Sequence, residues 1–193
     1  MTNPTSDALV FFGATGDLAY KQIFPALLAM VARDGLDVPI IGVAHAGWSL
    51  EQLRQRAHDS VTEAAKKAGA GVDEAAFAKL AARLGYVDGD YQDAATFTRL
   101  KQVLGDAKTP LHYLAIPPAL FGTVVTSLKA AGCADGARVV VEKPFGRDLA
   151  SAQALNRTLH SVFPEHSIFR IDHYLGKEAV QNQIGSTRLN SSH

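Results

Sequence analysis

Short apolar runs alternate with longer stretches of helical periodicity along almost the whole chain, and this alternation restricts the fold more than any other property. Residues 8–12, 39–44, 112–116, 137–142 and 168–171 have the length and content of buried strands. Between them lie candidate helices. In 18–33, Ile23, Leu27, Met30 and Val31 recur at helical spacing, and Pro25 is expected to kink the helix or restart it. Ser49 and Gln52 have the spacing of a capping box opening a helix at 50–67. Asp73 and Asp93 are placed to cap helices that run through Leu84 and Leu104. Helices are also predicted at 119–131, ended by Gly132, and at 151–162. Strand–helix alternation of this kind requires a mostly parallel sheet with helices on both faces. The predicted class is therefore α/β: doubly wound, mostly parallel and Rossmann-like.

With 193 residues, the chain holds one full domain and the beginning of another. Lys plus Arg and Asp plus Glu balance at 19 each, so no global field draws it to nucleic acid or an anionic membrane. No apolar run is long enough to span a bilayer, and residues 1–7 lack a secretory pattern. Cys133 is the sole cysteine, which excludes an intrachain disulfide and fits a reducing cytoplasm. His58, His112, His160 and His166 lack metal-ligand spacing, and the fragment DGDYQD at 88–93 lacks the remaining ligands of a calcium loop. No metal site is predicted.

Gly13, Ala14, Thr15, Gly16, Asp17 and Leu18 follow the first strand and open the first helix. Glycines here permit a tight turn and close approach of the backbone to a pyrophosphate, and a helix N-terminus supplies unpaired N–H groups for that anion. Ala19 allows close helix–strand contact. The spacing is GxxGxxA rather than GxGxxG, so the motif depends on its strand–turn–helix setting. After the second strand, an acid would meet a ribose 2′-hydroxyl and an arginine a 2′-phosphate. The chain has His45 there and neither of those residues, with Arg54 and Arg56 in the helix beyond. Pro117 and Pro118 stiffen the loop after the 112–116 run. Lys143, followed by Pro144, ends ARVVVE aimed at the crevice where ligands bind. In RIDHYLGKE, at 170–178, Arg170, Asp172, His173, Tyr174 and Lys177 crowd together. The bases, imidazole and phenol can hold a phosphate dianion, and the carboxylate can orient a catalytic imidazole.

Taken in order, GATGDLAYKQIFPALLAM, YLAIPP, EKPFGRDL and RIDHYLGKE resemble segments of glucose-6-phosphate dehydrogenase. The resemblance covers the chain from about Ala8 to Asn182. It implies hydride transfer from C1 of glucose 6-phosphate to a nicotinamide, giving 6-phosphogluconolactone. It implies NADP as coenzyme, with NAD open because His45 falls where the family has arginine. Gly13, Ala14, Thr15, Gly16, Asp17, Leu18, His45, Pro117 and Lys143 are then expected to bind coenzyme. Lys143, His173, Tyr174 and Lys177 are expected to bind substrate, and Asp172 to orient a histidine base. That base is expected in a second α+β domain, of which this chain carries only the first elements, and no histidine here matches it. The intact enzyme is expected to be a cytoplasmic homo-oligomer whose partner is glucose 6-phosphate. Residues 1–171 are assigned to the dinucleotide domain and 172–182 to the start of the substrate domain. Residues 183–193 are assigned to a non-native tail resembling translated adapter sequence. EKP also occurs in sugar oxidoreductases of the glucose–fructose oxidoreductase type, the rival enzymatic reading. A nucleotide-binding module without catalysis is the rival outside enzymology.

Overall fold

A computed structural model of the chain describes residues 5–171. Asp172, His173, Tyr174 and Lys177 lie outside the described residues. The strands are β1 (Leu9–Phe12), β2 (Ile40–Ala44), β3 (Leu84–Asp88), β4 (Leu111–Leu114), β5 (Arg138–Glu142) and β6 (Ile168–Ile171). The helices are α1 (Phe24–Ala32), α2 (Leu50–Lys67), α3 (Glu74–Arg83), α4 (Ala94–Leu104), α5 (Phe121–Ala130) and α6 (Leu149–His160). Among the described residues the strands form one sheet in the order β3-β2-β1-β4-β5-β6, and every pair is parallel. This is the doubly wound arrangement, with the strand order reversing between β1 and β4.

Both faces of the sheet are buried at β1 and β2, which explains why these strands are continuously apolar rather than alternating. Leu9 and Phe11 face one core, with Leu27 of α1, Leu53 of α2 and Leu80 of α3. Val10 and Phe12 face the other, with Phe97 and Leu100 of α4, Val124 and Leu128 of α5, and Leu159 of α6. All four residues of β1 are buried.

The capping residues act as the sequence requires. Ser49 Oγ accepts from the Gln52 amide at 3.2 Å, and Gln52 Oε1 accepts from the Ser49 amide at 2.8 Å. Asp73 and Asp93 accept from the amides of Ala76 and Ala95, each at 2.9 Å. Pro25 marks a restart of its helix, one of the two outcomes expected of it. A wide π-helical turn at Ala19–Ile23 precedes it, and α1 restarts with Pro25 in its first turn, where a missing N–H costs nothing.

Two expectations need correction. Residues 84–88 form a sixth strand, and the helix capped by Asp73 ends at Arg83 rather than running through Leu84. LGYVD contains a glycine and ends in a charge, so it lacks the apolar run that marks the other strands. It pairs with β2 at one end of the sheet, where burial demands less of it. The last helix begins at Leu149, not Ser151, because Asp148 caps it and Ser151 closes the capping box.

Gly42 shows how tightly β2 is packed. A Cβ there would lie 2.8 Å from Ala14 Cβ and 3.0 Å from Leu53 Cδ2. Gly42→Val is expected to destabilise the domain by about 1–3 kcal/mol through overpacking, read as a lower urea midpoint with an unchanged slope.

Candidate functional site

The carboxyl ends of β1, β4 and β5 converge at the point where the strand order reverses, and a cleft of ≈ 270 Å³ opens there. Leu18 from the glycine turn, Pro117 from the loop after β4, and Glu142, Lys143 and Pro144 from the end of β5 line it together. Three of the predicted site residues, far apart in sequence, are thus brought to one place. An open parallel sheet binds ligands at such a position.

Gly13 sets the geometry of the turn. Its φ is +82°, and a Cβ would sit 2.1 Å from the carbonyl oxygen of Ala115, so only glycine fits. The turn is fastened from below. The Gly13 and Ala14 amides donate to the Val43 carbonyl at 3.0 and 3.2 Å, and the Gly16 amide to the Gly13 carbonyl at 3.0 Å. Among the described residues, the amides of Thr15, Asp17 and Leu18 have no acceptor. Free amides at a helix start, on a turn that excludes side chains, make a cradle of the kind that takes a pyrophosphate. Ala14 and Ala19 are fully buried beneath the turn, while Gly16 and Asp17 are exposed.

Tyr91, which no sequence pattern singles out, completes this support. The Gly13 amide also donates to the Tyr91 hydroxyl at 2.9 Å, and that hydroxyl donates to the Val43 carbonyl at 3.1 Å. The ring packs edge-on against Phe12. Burial pushes the phenol up to about 12, although the Gly13 hydrogen bond pulls it down. No sequence signal marked Tyr91, because it lies in the DGDYQD turn, 78 positions from Gly13.

Across the cleft, Tyr113 of β4 donates a short hydrogen bond to Glu142 of β5. Burial first, and then that bond, raise the Tyr113 phenol, so it remains a neutral donor and fixes the carboxylate beside Lys143. Lys143 is exposed, and its amide donates to the Ile171 carbonyl at 3.1 Å. The Lys143–Pro144 bond is cis. Ile171 lies opposite Glu142 in the sheet and directly precedes Asp172 in sequence.

His45 lies at the end of β2, exposed and apart from the cleft lining. The loop it begins is held by Asp88, another residue the sequence did not mark. Asp88 Oδ1 accepts from the amides of Ala46 at 2.9 Å, Gly47 at 2.8 Å and Trp48 at 3.4 Å. Arg54 is turned away, bonded to the Ala81 carbonyl at 3.0 Å and paired with Glu51 at 3.5 Å. The Arg56 guanidinium lies 4.3 Å from the Tyr20 ring centre and 6.0 Å from that of Trp48. His112 and Cys133 have structural roles. The imidazole is fully buried against the Cys133 carbonyl at 2.8 Å, and burial lowers its pKa to about 4, so it is neutral at pH 7.

Residues 10–182 match the family model for the NAD-binding domain of glucose-6-phosphate dehydrogenase. The chain belongs to that family. It is 46% identical over 175 residues to glucose-6-phosphate 1-dehydrogenase 1 of Mycobacterium tuberculosis, covering 91% of this chain and 36% of that protein. To the Bacillus subtilis glucose-6-phosphate 1-dehydrogenase it is 36% identical over 186 residues, covering 90% of this chain and 36% of that one. The crystal structure of the Mycobacterium avium glucose-6-phosphate 1-dehydrogenase superposes with a TM-score of 0.82 at 45% identity, covering 90% of this chain and 37% of that one. A glucose-6-phosphate dehydrogenase solved with its substrate glucose-6-phosphate gives 0.78 at 35% identity, covering 94% and 39%. The chain therefore spans little more than a third of the length of these relatives. No helix among the described residues is long and apolar enough to cross a membrane.

Tyr91→Phe is expected to lower stability by about 1 kcal/mol, the usual net value of a buried hydrogen bond. Tyr91 should also leave a signature at high pH. Its phenol is raised from 10.0 to about 12, so its contribution is intact below pH 10 and is lost as pH rises toward 12. The loss of stability over that window, measured by urea titration, should be smaller in Tyr91→Phe than in the parent.

Proposed function

We propose that this domain is the coenzyme-binding part of a glucose-6-phosphate dehydrogenase, which oxidises glucose 6-phosphate at C1 with NADP or NAD as hydride acceptor. The observation that carries this reading is the match over residues 10–182, reinforced by a glycine cradle and a cleft at the switch point of the sheet. A nicotinamide coenzyme fits the residues present. Thr15, Asp17 and Leu18 offer free amides for its pyrophosphate, and Leu18, Pro117 and Lys143 line the space beyond the turn. When bound, the coenzyme supplies the hydride acceptor.

The chain's own residues then have distinct tasks. Gly13 keeps the turn low enough for close backbone approach. Pro117 and Pro118 give the cleft a stiff wall, and Lys143 offers its ammonium to a sugar hydroxyl. In this reading His173, Tyr174 and Lys177 hold the phosphate of the sugar, and Asp172 fixes the tautomer of a histidine base that takes the proton from the C1 hydroxyl. One hydride and one proton leave the sugar, and the product is 6-phosphogluconolactone. The protein would work as a homo-oligomer in the cytoplasm.

Reduction of NADP or NAD by the full-length protein, followed spectrophotometrically, tests this directly. Glucose 6-phosphate should support turnover and unphosphorylated glucose should not. Equal activity on both sugars would favour an oxidoreductase of the glucose–fructose type, and activity on neither would sink the reading. Asp172→Asn is expected to lower kcat more than it raises KM. Lys177→Ala should chiefly raise the KM for glucose 6-phosphate, and the opposite pattern would refute these roles.

A further inference from the structure

The loop between β3 and α4, residues 89–93, reaches past β2 and places one hydroxyl group beneath the glycine turn that follows β1. We propose that Tyr91 is a positioning residue for the coenzyme, and that this loop sets the affinity of the glycine turn for a dinucleotide by way of the Tyr91 hydroxyl. The inference rests on the reading of the domain as the coenzyme-binding part of a dehydrogenase.

The Gly13 amide is shared between two oxygens, the Tyr91 hydroxyl at 2.9 Å and the Val43 carbonyl at 3.0 Å. The hydroxyl in turn donates to that same carbonyl at 3.1 Å, which closes a triangle beneath the turn. On its other side Gly13 meets the Ala115 carbonyl oxygen, 2.1 Å from where a Cβ would stand. Gly13 is therefore held from two directions, and the Thr15, Asp17 and Leu18 amides take their places from it. A site of several convergent donors works only while each is held within about 0.5 Å of its productive position. A small movement of Gly13 thus reaches every amide that would meet a pyrophosphate.

The loop that carries Tyr91 is itself fastened on both sides of that residue. The Gly89 amide donates to the Ala44 carbonyl at 2.9 Å, and Arg99 of α4 donates to the Asp88 carbonyl at 2.8 Å. Thr96 Oγ1, also of α4, donates to the Asp90 carbonyl at 2.8 Å, and the Asp90 carboxylate accepts from the Gln92 amide at 2.8 Å. Gly89 leaves no slack between these anchors. A Cβ there would lie 2.2 Å from Thr96 Oγ1 and 2.6 Å from Arg99 Nη2, so any side chain must displace the loop. The Tyr91 ring packs edge-on against Phe12 with centroids 5.8 Å apart, a contact that phenylalanine would make equally well. The hydroxyl is what phenylalanine lacks, and both of its bonds go to the glycine turn and the strand end beneath it.

Isothermal titration with NAD and with NADP tests this on four forms of the full-length protein: the parent, Tyr91→Phe, Gly89→Ala and the double variant. Tyr91→Phe keeps the ring and loses the hydroxyl, and should raise the Kd of whichever coenzyme the parent binds by about fivefold, the equivalent of one hydrogen bond. Gly89→Ala keeps the hydroxyl and displaces the loop, and should weaken binding by a similar factor. In the double variant the two effects should not multiply, because both act through one contact. In turnover, Tyr91→Phe should raise the KM for coenzyme while the KM for glucose 6-phosphate moves by less than about twofold. A role in stability alone leaves the coenzyme Kd within about twofold of the parent in both single variants, and that result overturns the proposal. Effects that multiply in the double variant overturn it as well, since the loop would then act by another route. If Tyr91→Phe does not fold, the Kd of Gly89→Ala decides. A parent protein that binds neither coenzyme overturns the dehydrogenase reading too, whereas a parent that binds and variants that match it overturn this proposal alone.

Discussion

Gly13 touches the backbone of Ala115 so closely that no side chain can intervene, and the candidate site is organised around this approach. It fixes the height of the turn after β1 against the loop after β4, the two strands between which the sheet reverses its order. A left-handed glycine at this point lets the chain turn into its helix with free amides at the mouth of the cleft. The Val43 carbonyl and the Tyr91 hydroxyl hold the turn from beneath, so its position depends on β2 and on the segment after β3 as well as on β1. Small residues around it serve the same end. Gly42 and Ala14 are in near contact where any larger pair would push the turn away from the sheet.

This geometry is stable because the strands beneath it are buried on both faces. Residues of opposite parity on β1 enter separate cores, and each core is closed by its own three helices. The sheet is thereby a stiff platform, and the loops at its carboxyl edge are positioned by strands that have little freedom to shift. Functional groups on such an edge gain their precision from the platform rather than from their own loops.

The polar residues at that edge are arranged in pairs of a phenol and a carboxylate. Tyr113 with Glu142 lies beside Lys143, and Tyr86 with Asp88 lies beside the loop after β2. In each pair, burial and the carboxylate keep the phenol protonated. The neighbouring backbone and side chains are thus held by donors that do not titrate near neutral pH. Tyr91, with no carboxylate, performs the equivalent task for the glycine turn.

The sequence by itself determined the strand–helix alternation, the capping residues Ser49, Asp73 and Asp93, and the glycine turn. These are legible because each depends on local rules: periodicity, the donor and acceptor requirements of a helix start, and the conformational freedom of glycine. Tertiary structure decided what depends on distant partners. Tyr91 supports Gly13 from 78 positions away, and Asp88 anchors a loop 40 to 42 positions before it. Nothing in DGDYQD distinguishes those two side chains from ordinary turn residues until β3 joins the sheet beside β2. That strand itself escaped detection because, at one end of the sheet, it needs only part of its surface buried and carries no continuous apolar run. Local chemistry fixed which residues could build a cradle for a dinucleotide, while the packing of β3 against β2 determined the groups that surround it.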